Sequence, residues 1–309
     1  MSLATRNDEV DCVVIGGGPA GLTAAVYLAR FHLAVRVFHD SSSRAHSIPV
    51  SHNQVLFPGG ISGVDLLRRM QDQATAYGAE LSMGRVSDLT VADGTFTVST
   101  GDASVRAQTV LLATGVINRR PKMDEQQHDD AVRRGLLRYC PICDGYEVTD
   151  KTIAVLGTGA KAFAEAVFLR SFSRDITVIA PEAEHEMTTE QTARLQALGI
   201  QIETGPPETI ELYPNHIGLK SDKGSHLFHT LYPALGSDIR SELASGMGAR
   251  LSDEGCILVD RHQRTSVAGL YAAGDVVAGL DQISSAMGQA AIAATAIRND
   301  LSESATLTR

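Results

Sequence analysis

Two of the four cysteines, Cys140 and Cys143 in the segment YCPICDGYE, stand two residues apart. That spacing permits a small reversible disulfide rather than a staple closing a long loop, and the thiolate of such a pair can attack another disulfide. Pro141 between them stiffens the link and removes one backbone donor. Asp144 follows at once, and a carboxyl beside a thiolate suits general-acid work on the sulfur that leaves; an Asp before a Gly is also a common turn residue. The competing readings are a zinc half-site and a pair of inert core thiols. Zinc needs four ligands, usually from paired motifs, and the chain has no second CxxC and no HxxxH or HExxH among its ten histidines. Cys12 and Cys256 lie singly in the apolar runs DCVVIG and GCILVD, predicted strands in which cysteine acts as a small buried hydrophobe. Redox chemistry is the reading that remains, and no metal site is expected.

Such a pair needs a source or sink of electrons, and the glycine motifs point to one. Residues 11–30, DCVVIGGGPAGLTAAVYLAR, read as strand, tight turn and helix. Gly16 allows the sharp turn, Gly18 the approach of a pyrophosphate, and Gly21 the packing of helix on sheet, with Pro19 and Ala20 in the same GGGPAG run and the helix dipole facing the phosphates. A second strand, LAVRVFHD, ends at Asp40, where an acid can meet a ribose hydroxyl. The unit recurs in TIAVLGTGAKAFAEAVFLR, with Gly157, Gly159 and Ala162 in the GxGxxA form. A further tight approach of backbone to ligand is expected at Ala113, Thr114 and Gly115, and the chain closes with a short strand, Gly274-Asp275, and a long small-residue helix. The fold class is therefore α/β.

With 309 residues, 43% of them hydrophobic, the chain can bury two cores. The formal net charge of -9, without a Lys/Arg block, argues against nucleic acid and anionic membranes as partners. No apolar run reaches the roughly 20 residues of a membrane helix and the first residues lack a signal-peptide core, so a cytoplasmic protein is expected.

In sequence order, GGGPAG, the ATG triplet, CPICDG just before a second GxGxxA, and a terminal AAGD followed by a helix resemble the low-molecular-weight thioredoxin reductase family over nearly the whole chain. The resemblance implies two Rossmann-like dinucleotide-binding domains of the three-layer ββα type, the second inserted in the first. The first would be a discontinuous FAD domain, residues 1–116 and 244–309; the second, residues 117–243, would carry the CxxC. It further implies that His52, Asn53, Gln282 and Ile283 contact the flavin with the glycine turn, Asp40, the ATG triplet, Gly274 and Asp275. Cys143 would be the thiol facing the flavin, Cys140 the thiol attacking the external disulfide, and Asp144 the proton donor. A homodimer and a thioredoxin-like or small disulfide substrate also follow from the resemblance.

The sequence departs from the family after the second glycine motif. A run of His and Arg that would meet the 2′-phosphate of NADPH is replaced by APEAEHEMTTEQTA, and no Lys or Arg occurs from Asp175 through Ala193. A phosphate there would face Glu182, Glu184 and Glu186, unless these form a solvated loop and the cation comes from elsewhere. Glu182 on a ribose hydroxyl would select NADH; the turn equally admits a second FAD; and an empty site would leave reduction to a ferredoxin-like carrier protein. SSSRAHSIPVSHNQVLFPGGISG in place of the usual GGQL-type segment also points to an atypical branch. Three functions are weighed: a disulfide reductase, a flavin-dependent dithiol oxidase using oxygen, and a non-enzymatic flavin redox sensor. Asp144 after the CxxC matches the reductases.

Overall fold

The computed structural model describes residues 9–101, 103–221, 224–304 and 307, and the chain divides into two compact units. Unit 1 comprises residues 1–46, 63–117 and 239–309; unit 2 comprises residues 47–62 and 118–238. The segment 47–62, which the family resemblance assigns to the first domain, groups with unit 2.

Unit 1 opens with β1 (Glu9–Ile15), α1 (Pro19–Arg30), β2 (Val35–His39), α2 (Gly63–Ala76), β3 (Glu80–Met83), β4 (Val86–Ala92), β5 (Thr95–Thr100) and β6 (Ser104–Leu112). Its sheet runs in the order β3-β2-β1-β6-β5-β4, parallel from β3 to β6 and antiparallel beyond. The period of two in β1 divides its buried residues between two cores. Cys12 and Val14 enter a core shared with α1, and Val13 and Ile15 enter one shared with Leu89, Phe96 and Val98 of the antiparallel strands. The crossing strand β7 (Val116–Asn118) then leads out of the unit.

Unit 2 contains α3 (Glu125–Arg133), α4 (Pro141–Asp144), β8 (Ile153–Gly157), α5 (Gly159–Leu169), β9 (Ile176–Ile179), α6 (Thr189–Ala197), β10 (Gln201–Glu203), β11 (Thr209–Leu212), β12 (Ile217–Ser221), β13 (Gly224–Phe228) and β14 (Thr230–Ala234). A parallel sheet β10-β9-β8-β14 accompanies an antiparallel sheet β11-β12-β13. Alternation in β8 again makes two cores: Ile153 and Val155 meet Ala162, Ala166 and Leu195 of the helices, whereas Ala154 and Leu156 meet Ile217, Leu219 and Phe228 of the antiparallel sheet. Helices, parallel sheet and antiparallel sheet thus make three layers in each half of the expected duplication.

Past β15 (Ser237–Ile239) and α7 (Glu242–Gly246), the chain completes unit 1 with β16 (Leu270–Ala272), paired with β6, and α8 (Ile283–Ser304). α1 and α8 pack through small side chains, Ala20, Ala24 and Ala25 sharing a core with Ala286, Ala290, Ala293 and Ala294. No helix among the described residues is long and apolar enough to cross a membrane. One expected strand is absent: around Cys256 only Ile257 makes isolated bridges, to Leu251 and Val277, and Cys256 is half-buried, whereas Cys12 is fully buried in β1 as expected. A turn through Asp253–Gly255, with Gly255 N donating to the Ser252 carbonyl, competes with extension of that apolar run.

The glycine turn is set by backbone crowding. A Cβ at Gly21 would lie 1.9 Å from the Gly16 carbonyl oxygen, and one at Gly16, where φ is +124°, 2.1 Å from that of Ala113. Both neighbours are backbone atoms, so Gly21→Ala is expected to lower unfolding free energy by about 1–3 kcal/mol through forced displacement; chemical denaturation checks this, and an unchanged midpoint would refute the crowding argument.

Candidate active site

Residues 136–138 lie along the edge of the unit 2 parallel sheet: Leu231 N donates to the Leu136 carbonyl and Arg138 N to that of Leu231. With Leu136 and Leu137 buried, this registers the next residues against β14. The chain then turns into α4, with Cys140 as N-cap in extended conformation and Pro141 in the first turn, where its missing N–H costs nothing. Cys143 N donates to Cys140 Sγ at 3.2 Å and to the Cys140 carbonyl at 2.9 Å. The two cysteines are joined as a disulfide with Cα atoms 5.3 Å apart. Gly145 follows as the C-cap, where nothing larger fits: a Cβ there would lie 2.6 Å from the Pro141 carbonyl oxygen and 2.7 Å from Phe172 Cε2.

Asp144 is directed inward. Its Oδ1 accepts from the hydroxyl of Tyr232 on β14 at 2.8 Å and its Oδ2 from Arg138 Nη1 at 3.0 Å. Burial nevertheless dominates and raises the carboxyl's proton affinity, partly offset by Arg138 and by the Tyr232 hydrogen bond, with Glu147 adding a smaller raising effect. Glu165, on α5, is also pushed up, to about 7, by burial first and by the charge of Asp144 second. Tyr232 is raised by burial and then by Asp144, so it stays a hydrogen-bond donor. Beside Cys140, Tyr139 donates or accepts at 2.8 Å with Nε2 of buried His128, and burial raises its phenol to about 12. Arg138, Tyr232 and Glu165 were not singled out in the sequence. Arg138 stands only two residues before the CxxC, which was an available signal; Tyr232 and Glu165 reach the carboxyl through folding alone.

In unit 1 the expected dinucleotide residues converge at the ends of the parallel strands. Gly16 abuts Ala113, a Cβ at Gly274 would lie 2.9 Å from Ala20 Cβ, and Ala113 N donates to the Ile15 carbonyl at 2.8 Å. α1 starts from Gly18 at its N-cap with Pro19 next and no side-chain cap, leaving its first turn suited to an external anion. Asp40 follows β2 and accepts from Ser42 Oγ at 2.5 Å and Arg240 Nη2 at 3.1 Å. Burial opposes its ionisation, but the Ser42 and Arg240 hydrogen bonds outweigh it and hold the carboxyl near 2. Thr114 Oγ1 donates to the Arg240 carbonyl at 2.6 Å, and Gly115 takes φ +65°. Asp275 pairs with Arg44 at 2.9 Å, and Arg44 also meets Asp281, next to Gln282 and Ile283 at the start of α8. These features fit a dinucleotide such as FAD: a glycine cradle, an uncapped helix start and an ionised acid at the end of β2. His52 and Asn53 belong to unit 2, where Asn53 Oδ1 accepts from Ser51 Oγ at 2.9 Å and Gln54 Nε2 at 3.1 Å.

The second glycine turn has different surroundings. Gly157 packs on Ala234, Gly159 takes φ +64°, and Ala162 is fully buried behind them. The acidic loop folds back on this turn: Glu186 N donates to Thr158 Oγ1 at 2.5 Å. Glu182 is exposed in that loop. A cation comes from elsewhere: the Lys161 ammonium, in the first turn of α5, would lie 2.9 Å from a Cβ placed on Gly236.

Comparison with known proteins agrees with this layout. The model of the pyridine nucleotide-disulphide oxidoreductase family matches residues 10–290. A thioredoxin reductase of Mycolicibacterium smegmatis is 33% identical over 89% of this chain and 91% of its own. The crystal structure of a Streptococcus pyogenes thioredoxin reductase superposes with a TM-score of 0.89 at 27% identity, covering 96% of this chain and all of that one. The atypical thioredoxin reductase TRi from Desulfovibrio vulgaris Hildenborough is 30% identical with a TM-score of 0.55, covering 96% and 99%.

The buried Glu165 carboxyl has a consequence for stability. Its proton affinity is raised on folding, so its contribution is fully present below pH 4.5, the ordinary value, and is lost as pH rises through about 7. Urea unfolding across that window is expected to show stability declining with pH in the native protein and a flatter profile in Glu165→Gln; equal slopes would refute the assignment.

Proposed function

We propose, since the chain belongs to the pyridine nucleotide-disulphide oxidoreductase family and is of the thioredoxin reductase type, that Cys140 and Cys143 pass two electrons between a bound FAD and an external disulfide. The observation that carries this reading is the Cys140–Cys143 disulfide with the inward carboxyl of Asp144 next to it. FAD would be held by Gly16, Gly18, Pro19, Ala20 and Gly21 at its phosphates, Asp40 at a ribose, and Ala113, Thr114, Gly115, Gly274, Asp275, Gln282 and Ile283 around the remainder, with His52 and Asn53 carried over from the family resemblance. When bound, it supplies reversible two-electron transfer.

The chain's own residues do the sulfur chemistry. In the reduced state the Cys140 thiolate attacks one sulfur of the substrate disulfide; that S–S bond breaks and a mixed disulfide forms. Asp144, whose proton affinity burial raises, gives a proton to the departing thiolate. Cys143 then attacks Cys140, closing the internal disulfide and releasing the second thiol. Two electrons pass from the enzyme dithiol to the substrate, and the two protons that the products gain come from Asp144 and from the Cys143 thiol. A thioredoxin-like protein or a small disulfide fits this step, in a homodimer of the kind the family resemblance implies.

The electron donor in this reading is not ordinary NADPH. Residues 175–193 carry no Lys or Arg, and the loop of Glu182, Glu184 and Glu186 returns onto the second glycine turn. Lys161, in the first turn of the helix that follows the second glycine turn, brings one cation to Gly236, and a single cation on that helix start suits a pyrophosphate better than a separate 2′-phosphate. NADH, a second FAD or a ferredoxin-like carrier therefore stands in the donor's place. Anaerobic titration of the purified yellow protein is expected to show the flavin bleached by dithiothreitol but not by stoichiometric NADPH. Rapid bleaching by NADPH would overturn the donor assignment, bleaching by neither would overturn the disulfide reading, and peroxide formation from dithiol in air would favour a dithiol oxidase instead.

A further inference from the structure

We propose that Arg44 is a further cofactor-binding residue of unit 1, the cation that meets the pyrophosphate of FAD at the start of α1. The inference rests on the reading that unit 1 holds FAD and adds a residue to it.

Arg44 lies in SSSRAHS, within the segment that departs from the family pattern. It opens a 3-10 turn shortly after β2, in a stretch that is well anchored. Ala45 is buried, and Asp40, Ser42 and Arg240 are joined by hydrogen bonds of 2.5 Å, 2.9 Å and 3.1 Å. Ser43 stands over the glycine turn, its Oγ 3.1 Å from a Cβ placed on Gly18, the N-cap of α1. The chain after β16 reaches the same helix start: a Cβ on Gly274 would lie 2.9 Å from Ala20 Cβ, and Gly274 N donates to Gln289 Oε1 of α8 at 2.7 Å. Arg44 joins these two stretches. Its Nη2 lies 2.9 Å from Asp275 Oδ2 and its Nη1 3.5 Å from Asp281 Oδ2. The Arg44–Asp275 pair thus links the chain beside Gly18 to the chain beside Ala20, at the first turn of α1.

Charge gives the pair its use. GGGPAG and the first turn of α1 contain no Lys or Arg, so a pyrophosphate there meets backbone N–H groups and a helix dipole that amounts to a fraction of one charge. Asp275 and Asp281 add negative charge nearby, which opposes an anion. Arg240 is engaged by Asp40 and Ser42, at the acid expected to meet a ribose. Arg44 supplies positive charge on the phosphate side. A guanidinium holds carboxylate and phosphate oxygens with the same planar fork, so it can keep Asp275 in place while meeting the diphosphate. The Arg44 side chain is 30% exposed, open to a ligand yet withdrawn enough from solvent for its charge to be only partly screened.

The test uses purified full-length holoprotein, diluted serially so that fluorescence of released FAD reports its dissociation constant, at several concentrations of KCl. Arg44→Gln is expected to weaken FAD binding about tenfold at low salt, the loss of one charge-assisted hydrogen bond, and to flatten the rise of the dissociation constant with salt. Arg44→Lys keeps the charge and should keep the native salt dependence with a smaller loss of affinity. Asp281→Asn removes a competitor for the guanidinium and should tighten binding, a gain that vanishes when it is combined with Arg44→Gln. A guanidinium that only ties two loops together would lower the thermal midpoint of Arg44→Gln but leave the dissociation constant and its salt dependence native, and that result would overturn the inference. Should Arg44→Gln fail to fold, native affinity in Asp281→Asn would overturn it. Native protein that neither contains FAD nor takes it up would instead overturn the proposed function.

Discussion

The disulfide site depends on one conflict, the burial of an acid beside cation and hydroxyl donors. Asp144 is held at 3.0 Å by Arg138 and at 2.8 Å by Tyr232, both of which favour its ionised form, yet burial of the group raises its proton affinity. Were the donors to prevail, the acid would be a fixed anion repelling the thiolate next to it. Were burial unopposed, the carboxyl would be held as a neutral acid with little fixed orientation. The two donors fix the orientation of the carboxyl while burial raises its proton affinity, the combination that the proposed proton donation to sulfur would use.

Each layer of unit 2 supplies a part of that balance. β14 presents Tyr232 from a fully buried position, and pairing of residues 136–138 along its edge brings Arg138 to the other carboxylate oxygen. α4 is one turn long and is capped by Cys140 itself, so the reactive sulfur is also a structural acceptor at 3.2 Å from Cys143 N. α5, which follows the second glycine turn, brings Glu165 to the same interior. A helix that the glycine motif marks as nucleotide-binding therefore also contributes to the environment of the disulfide.

Much of the fold was legible because its signals are local. The GGGPAG turn demands glycine for backbone reasons, seen in the 1.9 Å and 2.1 Å approaches to carbonyl oxygens, and the GTGAKA turn for the positive φ of Gly159 and the packing of Gly157 on Ala234, and such requirements are visible in any sequence that has them. The α/β class was likewise readable from apolar runs followed by glycine turns and helical stretches, whereas the two cores made by alternation in β1 and β8 emerge in the structure. GCILVD misled because an apolar run is also compatible with turns and isolated bridges when no neighbour strand is available. At the site, the cysteine spacing and the adjacent Asp were readable, whereas Tyr232 lies 88 positions from Asp144 and Glu165 sits in an Ala-rich helix without any motif of its own. Their relation to the carboxyl arises from sheet register and helix packing. The acidic loop was readable as composition, but the bond of Glu186 N to Thr158 Oγ1 and the place of Lys161 required the structure.

The central claim is that burial raises the proton affinity of the Asp144 carboxyl next to the disulfide, so that the proposed proton donor responds to the redox state of the pair. Infrared difference spectroscopy of the full-length protein, oxidised minus dithiothreitol-reduced near neutral pH, with Asp144→Asn as the assignment control, measures this directly. The account predicts a protonated-carboxyl band that shifts or loses intensity when the pair is reduced and disappears in Asp144→Asn. A band untouched by both reduction and substitution, or no protonated carboxyl in either state, would contradict it.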